Sequence, residues 1–255
     1  MDRSTYNNEY QKTQEMLDIG KRIWERDYVA ANDGNISVRL NENEILATAT
    51  GVSKGFMNKD MILKLDMDGN VLTPNPKHDP SSEVKMHLEV YREREDVRSV
   101  IHAHPPYCTS FAVAGIELDQ CVLPEAILTI GSVPIAEYGT PSTMEIPDSV
   151  KPHLGDNNAI LLENHGALTL GNSLKKAYFL METLEHTAKI VTYAKNLGNV
   201  NLLPKEQVDK LMKTFGQEGS SPCKTCEVDY SGSDENNIDQ NDIDLIVQKV
   251  MDRLK

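Results

Sequence analysis

Long apolar runs are missing from this chain of 255 residues. No window approaches the 18 or so consecutive apolar positions of a membrane-spanning helix, which excludes such a span. The opening stretch MDRSTYNNEYQKTQEM is polar and lacks the apolar centre of a secretory signal. Basic residues are in deficit: 26 Lys and Arg stand against 39 Asp and Glu, a net charge of −13. That balance argues against a nucleic-acid partner, because a phosphate backbone must be neutralised by cations. It does not exclude a phosphorylated small molecule, since backbone N–H groups hold phosphate whatever the net charge. Cysteine is scarce, with four residues in no framework pattern, which fits a reducing cytosol. Internal repeats are absent. These absences lead us to expect a soluble cytoplasmic protein. Hydrophobic residues at 39% supply a core, enough for one large domain or one domain with an appendage.

The apolar spacing then sets the elements. Met16, Ile19, Gly20, Ile23 and Trp24 fall at helical intervals and predict an opening helix over residues 7–26. Ile36 and Val38 alternate after an Asp-Gly turn, and residues 44–51 form a second short strand ending at a glycine. Asn58 or Asp60 would cap a short helical turn. Residues 62–66 and 70–73 flank Asp68-Gly69, a strong hairpin signal. Ser81 or Ser82 is a natural cap for a helix whose buried stripe is Val84, Leu88 and Tyr91. Residues 99–104 read as a strand, and Pro105-Pro106 as the start of a helix through Ala114. Helices over 123–130, 145–154, 173–196 and 204–215 and strands over 133–136 and 159–162 complete the pattern. Strands mixed with helices indicate an α/β or α+β layered domain.

The chemistry concentrates in Ser99-Val-Ile-His-Ala-His-Pro-Pro-Tyr107. Residues two apart on a strand share a face, so His102 and His104 aim at one point, as two ligands of one divalent ion would. The same pattern also fits two histidines on a solvated strand face. His165 closes the apolar run Ala159-Ile-Leu-Leu162 beside Gly166 and could be a third ligand or a surface histidine. Glu83, at a helix start, could be a fourth ligand or simply a carboxylate favoured by the helix dipole. Three histidines with one Glu or water compose a catalytic zinc site. His87 and His186 each follow a glutamate by four residues (Glu83, Glu182), the spacing of a surface pair. His78 and His153 sit in polar loops. A second set, Gly34-Asn35, Thr50-Gly51 and Ser81-Ser82, places small or hydroxyl residues where turns meet regular structure. Exposed backbone N–H groups and hydroxyls there can cradle a dianion.

In order, Gly34-Asn-Ile-Ser, Thr50-Gly51, Pro80-Ser-Ser-Glu83, His102-Ala-His104 and Asn164-His-Gly166 resemble the class II aldolase/adducin-head family, and most of all its L-fuculose-1-phosphate aldolase branch. The resemblance spans roughly residues 10–215. It implies a three-layer α/β/α domain with a central, largely antiparallel sheet, assembling as a C4 homotetramer with sites at the subunit interfaces. It implies that His102, His104, His165 and Glu83 hold one Zn2+ per subunit and that Glu83 is also the catalytic acid/base. The substrate phosphate would rest on Gly34, Asn35, Thr50, Gly51, Ser81 and Ser82. The implied reaction is metal-dependent retro-aldol cleavage of L-fuculose or L-rhamnulose 1-phosphate to dihydroxyacetone phosphate and L-lactaldehyde. The branch protonates the aldehyde oxygen with a tyrosine from a neighbouring subunit. By spacing that position falls near Leu123 here, where there is no tyrosine, so that Glu125, Tyr138 or a tyrosine elsewhere would substitute.

Three rivals remain within the resemblance. An epimerase of ribulose 5-phosphate has aspartate where this chain has Glu83. A methylthioribulose-1-phosphate dehydratase shares the His-x-His logic. Adducin-type structural heads have lost the ligands that this chain keeps.

Beyond the catalytic domain, residues 1–215, composition changes. Residues 216–237 are polar and Gly/Ser-rich, as in a linker. In residues 238–255, Ile243, Ile246, Val247, Val250, Met251 and Leu254 make one helical face, acidic at the start and basic at the end. This extension resembles the encapsulation peptides of bacterial microcompartments, which implies docking on a shell or on co-encapsulated enzymes and a location in the compartment lumen. Packing on its own tetramer is the alternative. Cys223-Lys-Thr-Cys226 offers one pair, too few for a tetrahedral site, and stays unassigned. Cys108 and Cys121 read as packing residues.

Overall fold

The computed structural model describes residues 3–155 and 157–216. The linker and helix expected over 217–255, with the Cys223/Cys226 pair, lie outside the described residues.

One mixed sheet organises the chain. Its strands are β1 (Asn35–Arg39), β2 (Glu44–Thr48), β3 (Ile62–Asp66), β4 (Ser99–Ala103), β5 (Ile135–Ala136), β6 (Ala159–Leu162) and β7 (Gly166–Gly171). They lie in the order β3-β2-β1-β4-β7-β6-β5. Among the described residues only the β5–β6 pairing is parallel. Side-chain alternation sorts the strand residues to two faces. Ile36, Val38, Ile101, Ala103, Leu161 and Ala167 join one core cluster. Ile45, Ala47, Leu63, Leu65, Val100, Ile160, Leu162, Leu168 and Leu170 join the other.

Helices cover both faces. The first cluster takes in the stripes of α1 (Arg3–Glu25), α3 (Pro106–Ala114) and α6 (Leu174–Leu197). The second takes in α2 (Val84–Glu93) and α5 (Glu145–Val150). A small third cluster joins α4 (Pro124–Thr129) to α7 (Lys205–Thr214). The result is the three-layer α/β/α arrangement, with a largely antiparallel sheet in the middle.

Most local expectations hold. Asn58 caps a 3₁₀ turn at Lys59–Met61, its side chain accepting from the Asp60 N–H at 2.9 Å. Ser173 caps α6 by accepting from the Lys176 N–H at 3.2 Å. Four details differ. Residues 70–73 make only the bridge Leu65↔Val71 and form no strand, because Val71 and Leu72 are exposed and have no core to face. The first residue of α2 is Val84, with Glu83 itself at the cap position, while Ser81 Oγ accepts from the Glu83 N–H at 3.3 Å. Trp24 stays partly exposed and packs edge-on against Phe56. Strand β7 was not foreseen: Asn164, at φ 53°, reverses the chain, so Glu163-Asn-His-Gly166 is a hairpin turn and not a strand end.

Candidate metal centre

Register brings the three histidines together. Within the sheet His102 lies opposite Asn35 on β1 and Leu168 on β7. The β6–β7 turn therefore sits beside the end of β4 and delivers His165 to the His-x-His pair. One ligand atom from each of His102, His104 and His165 lies within 4.8 Å of the others. The ring centroids are 4.7 to 5.0 Å apart. Gly166 permits this crowding: a Cβ there would stand 2.5 Å from the Ala103 carbonyl oxygen and 2.6 Å from His104 Cδ2. Gly34 lies on the other side of the site with φ +71°, where a Cβ would meet the His102 carbonyl oxygen at 2.7 Å. Only glycine satisfies both the left-handed backbone and the close approach there.

The hydrogen bonds around the rings say what the cluster can hold. His102 Nδ1 donates to the Ala167 carbonyl at 3.0 Å, so its Nε2 carries a lone pair. His104 Nδ1 lies 3.4 Å from the Asp33 carboxylate, and its Nε2 is 3.1 Å from His102 Nε2. Burial, together with the neighbouring imidazoles, pushes the pKa of His102 well down, and burial and His165 lower that of His104. The two Nε2 atoms that face each other either share the His104 proton in a hydrogen bond or, with that proton on Nδ1 toward Asp33, aim two lone pairs at one point where a cation can stand. His165 adds a buried Nδ1 that has no hydrogen-bond partner among the described residues. The donor set fits a divalent ion that favours imidazole, such as zinc.

Glu83 faces this cluster from the cap position of α2. Its Oε1 is 3.2 Å from His165 Nε2 and its Oε2 is 3.9 Å from His102 Nε2. The Asn35 amide donates to Oε2 at 2.6 Å. Burial works to raise the carboxyl's pKa. The His165 hydrogen bond, the fields of His102 and His165 and the Asn35 amide overcome it, holding Glu83 an anion well below the usual carboxylate range.

The three small-residue turns meet around Glu83. Asn35 Nδ2 lies 3.3 Å from Ser81 Oγ, while the Thr50 N–H donates to the Asp79 carbonyl at 2.9 Å and Ala49 bridges Pro80. Gly34-Asn35, Thr50-Gly51 and Ser81-Ser82 therefore border one another. Asn35 is nevertheless engaged with Glu83, and Ser82 Oγ lies 2.7 Å from Ser142 Oγ. Beneath them Lys54, only 2% exposed, donates to the carbonyls of Val52 at 2.8 Å and Asn32 at 3.2 Å. It ties the Thr50-Gly51 segment to the Gly34 turn. Burial lowers its pKa to about 8 against the fields of Asp33 and Glu83.

Other positions fall outside this group. His186 is exposed, as its spacing suggested, and Glu125 and Tyr138 are exposed. The reading of His87 as half of a surface pair is corrected: it is fully buried between α2 and β1, and burial lowers its pKa to about 4. Three contributors were missed altogether. Asp33 backs His104, and Lys54 braces two turns. Glu185 of α6 accepts from the Tyr107 and Cys108 N–H groups at 3.1 and 2.9 Å, capping the helix that follows the His-x-His pair. The shared face of His87 with Val84, Leu88 and Tyr91 was the available signal for its burial. Asp33, Lys54 and Glu185 gave no local signal.

Comparison with known proteins agrees with this geometry. Residues 14–192 match the family described as Class II Aldolase and Adducin N-terminal domain. An L-fuculose phosphate aldolase of Methanococcus maripaludis is 34% identical over 183 residues, covering 72% of this chain and 97% of that protein. A 5-deoxy-D-ribulose 1-phosphate aldolase of Bacillus thuringiensis is 32% identical, covering 79% of this chain and 94% of its own. A 3-oxo-tetronate 4-phosphate decarboxylase of Escherichia coli is also 32% identical, over 70% of this chain and 84% of its own. A solved L-fuculose 1-phosphate aldolase superposes with a TM-score of 0.72 at 32% identity, covering 80% of this chain and 95% of that one. Fold and sequence agree, and the chain belongs to the class II aldolase and adducin N-terminal domain family.

Proposed function

We propose that the protein is a zinc-dependent aldehyde-lyase. It cleaves L-fuculose 1-phosphate, L-rhamnulose 1-phosphate or both, between C3 and C4, to dihydroxyacetone phosphate and L-lactaldehyde. The observation that carries this reading is the ionised Glu83 carboxylate set 3.2 and 3.9 Å from two of three converging imidazoles. A carboxylate so close to a metal cluster can serve either as ligand or as proton carrier.

His102, His104 and His165 would hold the ion, with Glu83 as the fourth ligand at rest. When bound, the ion supplies Lewis acidity to the carbonyl and neighbouring hydroxyl oxygens of the ketose. Gly34, Asn35, Thr50, Gly51, Ser81 and Ser82 hold the phosphate and so fix where C3 lies. Glu83 then turns to the substrate. The Glu83 carboxylate would first take the proton of the C3 hydroxyl. As the C3–C4 bond breaks, O4 gives its proton to a base and becomes the aldehyde oxygen, Glu83 returns its proton to C3, and the C3 oxygen regains one from solvent. Protons lost and gained balance, and the reaction is redox-neutral. Leu123 cannot exchange a proton with O4. In a C4 homotetramer with interfacial sites, Glu125 or Tyr138 of a neighbouring copy would take that part.

Relatives named for 5-deoxy-D-ribulose 1-phosphate and 3-oxo-tetronate 4-phosphate widen the substrate panel. Purified protein should release dihydroxyacetone phosphate from a deoxy-ketose 1-phosphate, and a chelator should stop it. If no sugar phosphate yields chelator-sensitive dihydroxyacetone phosphate, the reading fails. Carbon dioxide from 3-oxo-tetronate 4-phosphate would replace it with a decarboxylase.

Residues 238–255 are proposed to carry the enzyme into the lumen of a bacterial microcompartment by docking on its shell or on co-encapsulated enzymes. The apolar face from Ile243 to Leu254 and its dipole-matched charges support this. A fluorescent protein fused to these residues should collect in compartments when shells are co-expressed. Diffuse fluorescence in shell-bearing cells would remove the proposal.

A further inference from the structure

A buried ladder of polar groups runs away from Glu83 between α2 and β1. Glu83, His87 and Tyr91 are spaced four apart and share one face of the helical segment. Asn35 and Ser37 are two apart and share one face of the strand. Four helical residues rise about 6 Å and two strand residues about 6.8 Å, so the rungs stay in step. Asn35 Nδ2 is 2.6 Å from Glu83 Oε2, and His87 Nε2 is 2.8 Å from Asn35 Oδ1. His87 Nδ1 is 2.7 Å from Ser37 Oγ, which is 2.8 Å from the Tyr91 hydroxyl. Asn35, Ser37, His87 and Tyr91 are all buried.

The chain has one consistent polarity. A carboxylate only accepts, so Asn35 must present its NH2 to Glu83 and its carbonyl oxygen to His87. That oxygen also only accepts, so His87 carries its proton on Nε2. Its bare Nδ1 then takes the Ser37 hydroxyl proton, and the Ser37 oxygen takes that of Tyr91. Were the His87 proton on Nδ1, the Asn35 carbonyl oxygen would face a bare ring nitrogen and lose its donor, leaving the amide held only from its NH2 side by Glu83 and Ser81.

We propose that His87 is a positioning residue for Glu83. Acting through Asn35, its Nε2–H tautomer fixes the direction and hydrogen bonding of the carboxylate that faces the metal cluster. The role rests on the reading of Glu83 given above but is measurable without a sugar substrate.

Two readouts test it. Nitrogen-15 spectra of the imidazoles should place the His87 proton on Nε2. A proton on Nδ1 overturns the proposal. Zinc affinity, measured by competition with a chromophoric chelator, should fall about tenfold in His87→Phe, the lower range for loss of a partner that orients a ligand. In an Asn35→Ala background the same substitution should change affinity by less than about twofold, because the connection is already cut. A merely structural role predicts multiplying losses, and that result, or an unchanged affinity in folded His87→Phe, overturns the proposal. Should His87→Phe fail to fold, Ser37→Ala removes the donor to Nδ1 at little cost in volume. It should weaken zinc about threefold, again only when Asn35 is present, and an unchanged affinity counts against the proposal. Absent sugar cleavage would sink the aldolase reading and leave these outcomes interpretable.

Discussion

Glutamine at Glu83 is expected to lower kcat by roughly 10²- to 10⁴-fold, the range that general acid–base catalysis contributes, while KM for the sugar phosphate stays within about threefold. The substitution keeps the shape of the side chain and removes its charge and its titration. Substrate phosphate would still meet the turns at Gly34-Asn35, Thr50-Gly51 and Ser81-Ser82, which is why KM should hold. The amide must also choose an orientation. Asn35 presents an N–H to Oε2 at 2.6 Å, so the glutamine oxygen takes that side and its NH2 turns to His165, whose Nε2 stands 3.2 Å from Oε1. An NH2 group cannot ligate a cation. Zinc affinity should therefore fall by about 10- to 100-fold as well, the range seen when groups around a metal are disturbed. Steady-state kinetics at saturating zinc separate the two effects. If Glu83→Gln keeps more than a tenth of kcat under those conditions, Glu83 is not the proton carrier.

The local half of this site was legible in the sequence. His102 and His104 are two residues apart, and strand alternation alone aims them together. The layered fold was legible for a similar reason. Ile36 and Val38 on β1, and the continuous apolar run of β6, declare which residues must be covered. What the residues could not declare by themselves is adjacency across the sheet. His165 reaches the pair only because β7 follows β6 and lies against β4, and β7 itself was hidden. Its Ala167-Leu-Thr-Leu170 run is short and continuous, and the turn before it depends on Asn164 taking a left-handed backbone. His87 was misjudged because a histidine four residues after a glutamate has the spacing of a solvated pair. Its neighbours on the helix face are buried, and Ser37 and Asn35 wait on the opposing strand to satisfy both ring nitrogens. Burial of a polar group is decided by partners far away in sequence, and local patterns do not contain them.

Alanine at Gly166 tests whether the histidine cluster depends on backbone closeness as well as on ligand identity. The added Cβ would stand 2.5 Å from the Ala103 carbonyl oxygen, 2.6 Å from His104 Cδ2 and 3.3 Å from His102 Cε1. The first obstacle is backbone at the end of a strand paired on both sides, so it cannot rotate away as a flexible side chain would. The second is a ring that can move only by leaving its place opposite His102 Nε2 and Asp33. Overpacking of this kind costs about 1–3 kcal/mol. For a domain of this size that is roughly 2–12 °C in Tm. Moving a ligand ring should also weaken zinc by at least tenfold, by analogy with losses around metal ligands. Gly155→Ala is the control, because nothing lies within 4 Å of the Cβ it would add. Calorimetry of the metal-free protein and zinc competition should show both losses for Gly166→Ala and neither for Gly155→Ala. Unchanged zinc affinity in Gly166→Ala would mean that the β6–β7 turn can shift without disturbing the three rings. The close approach of Gly166 to Ala103 would then concern packing alone.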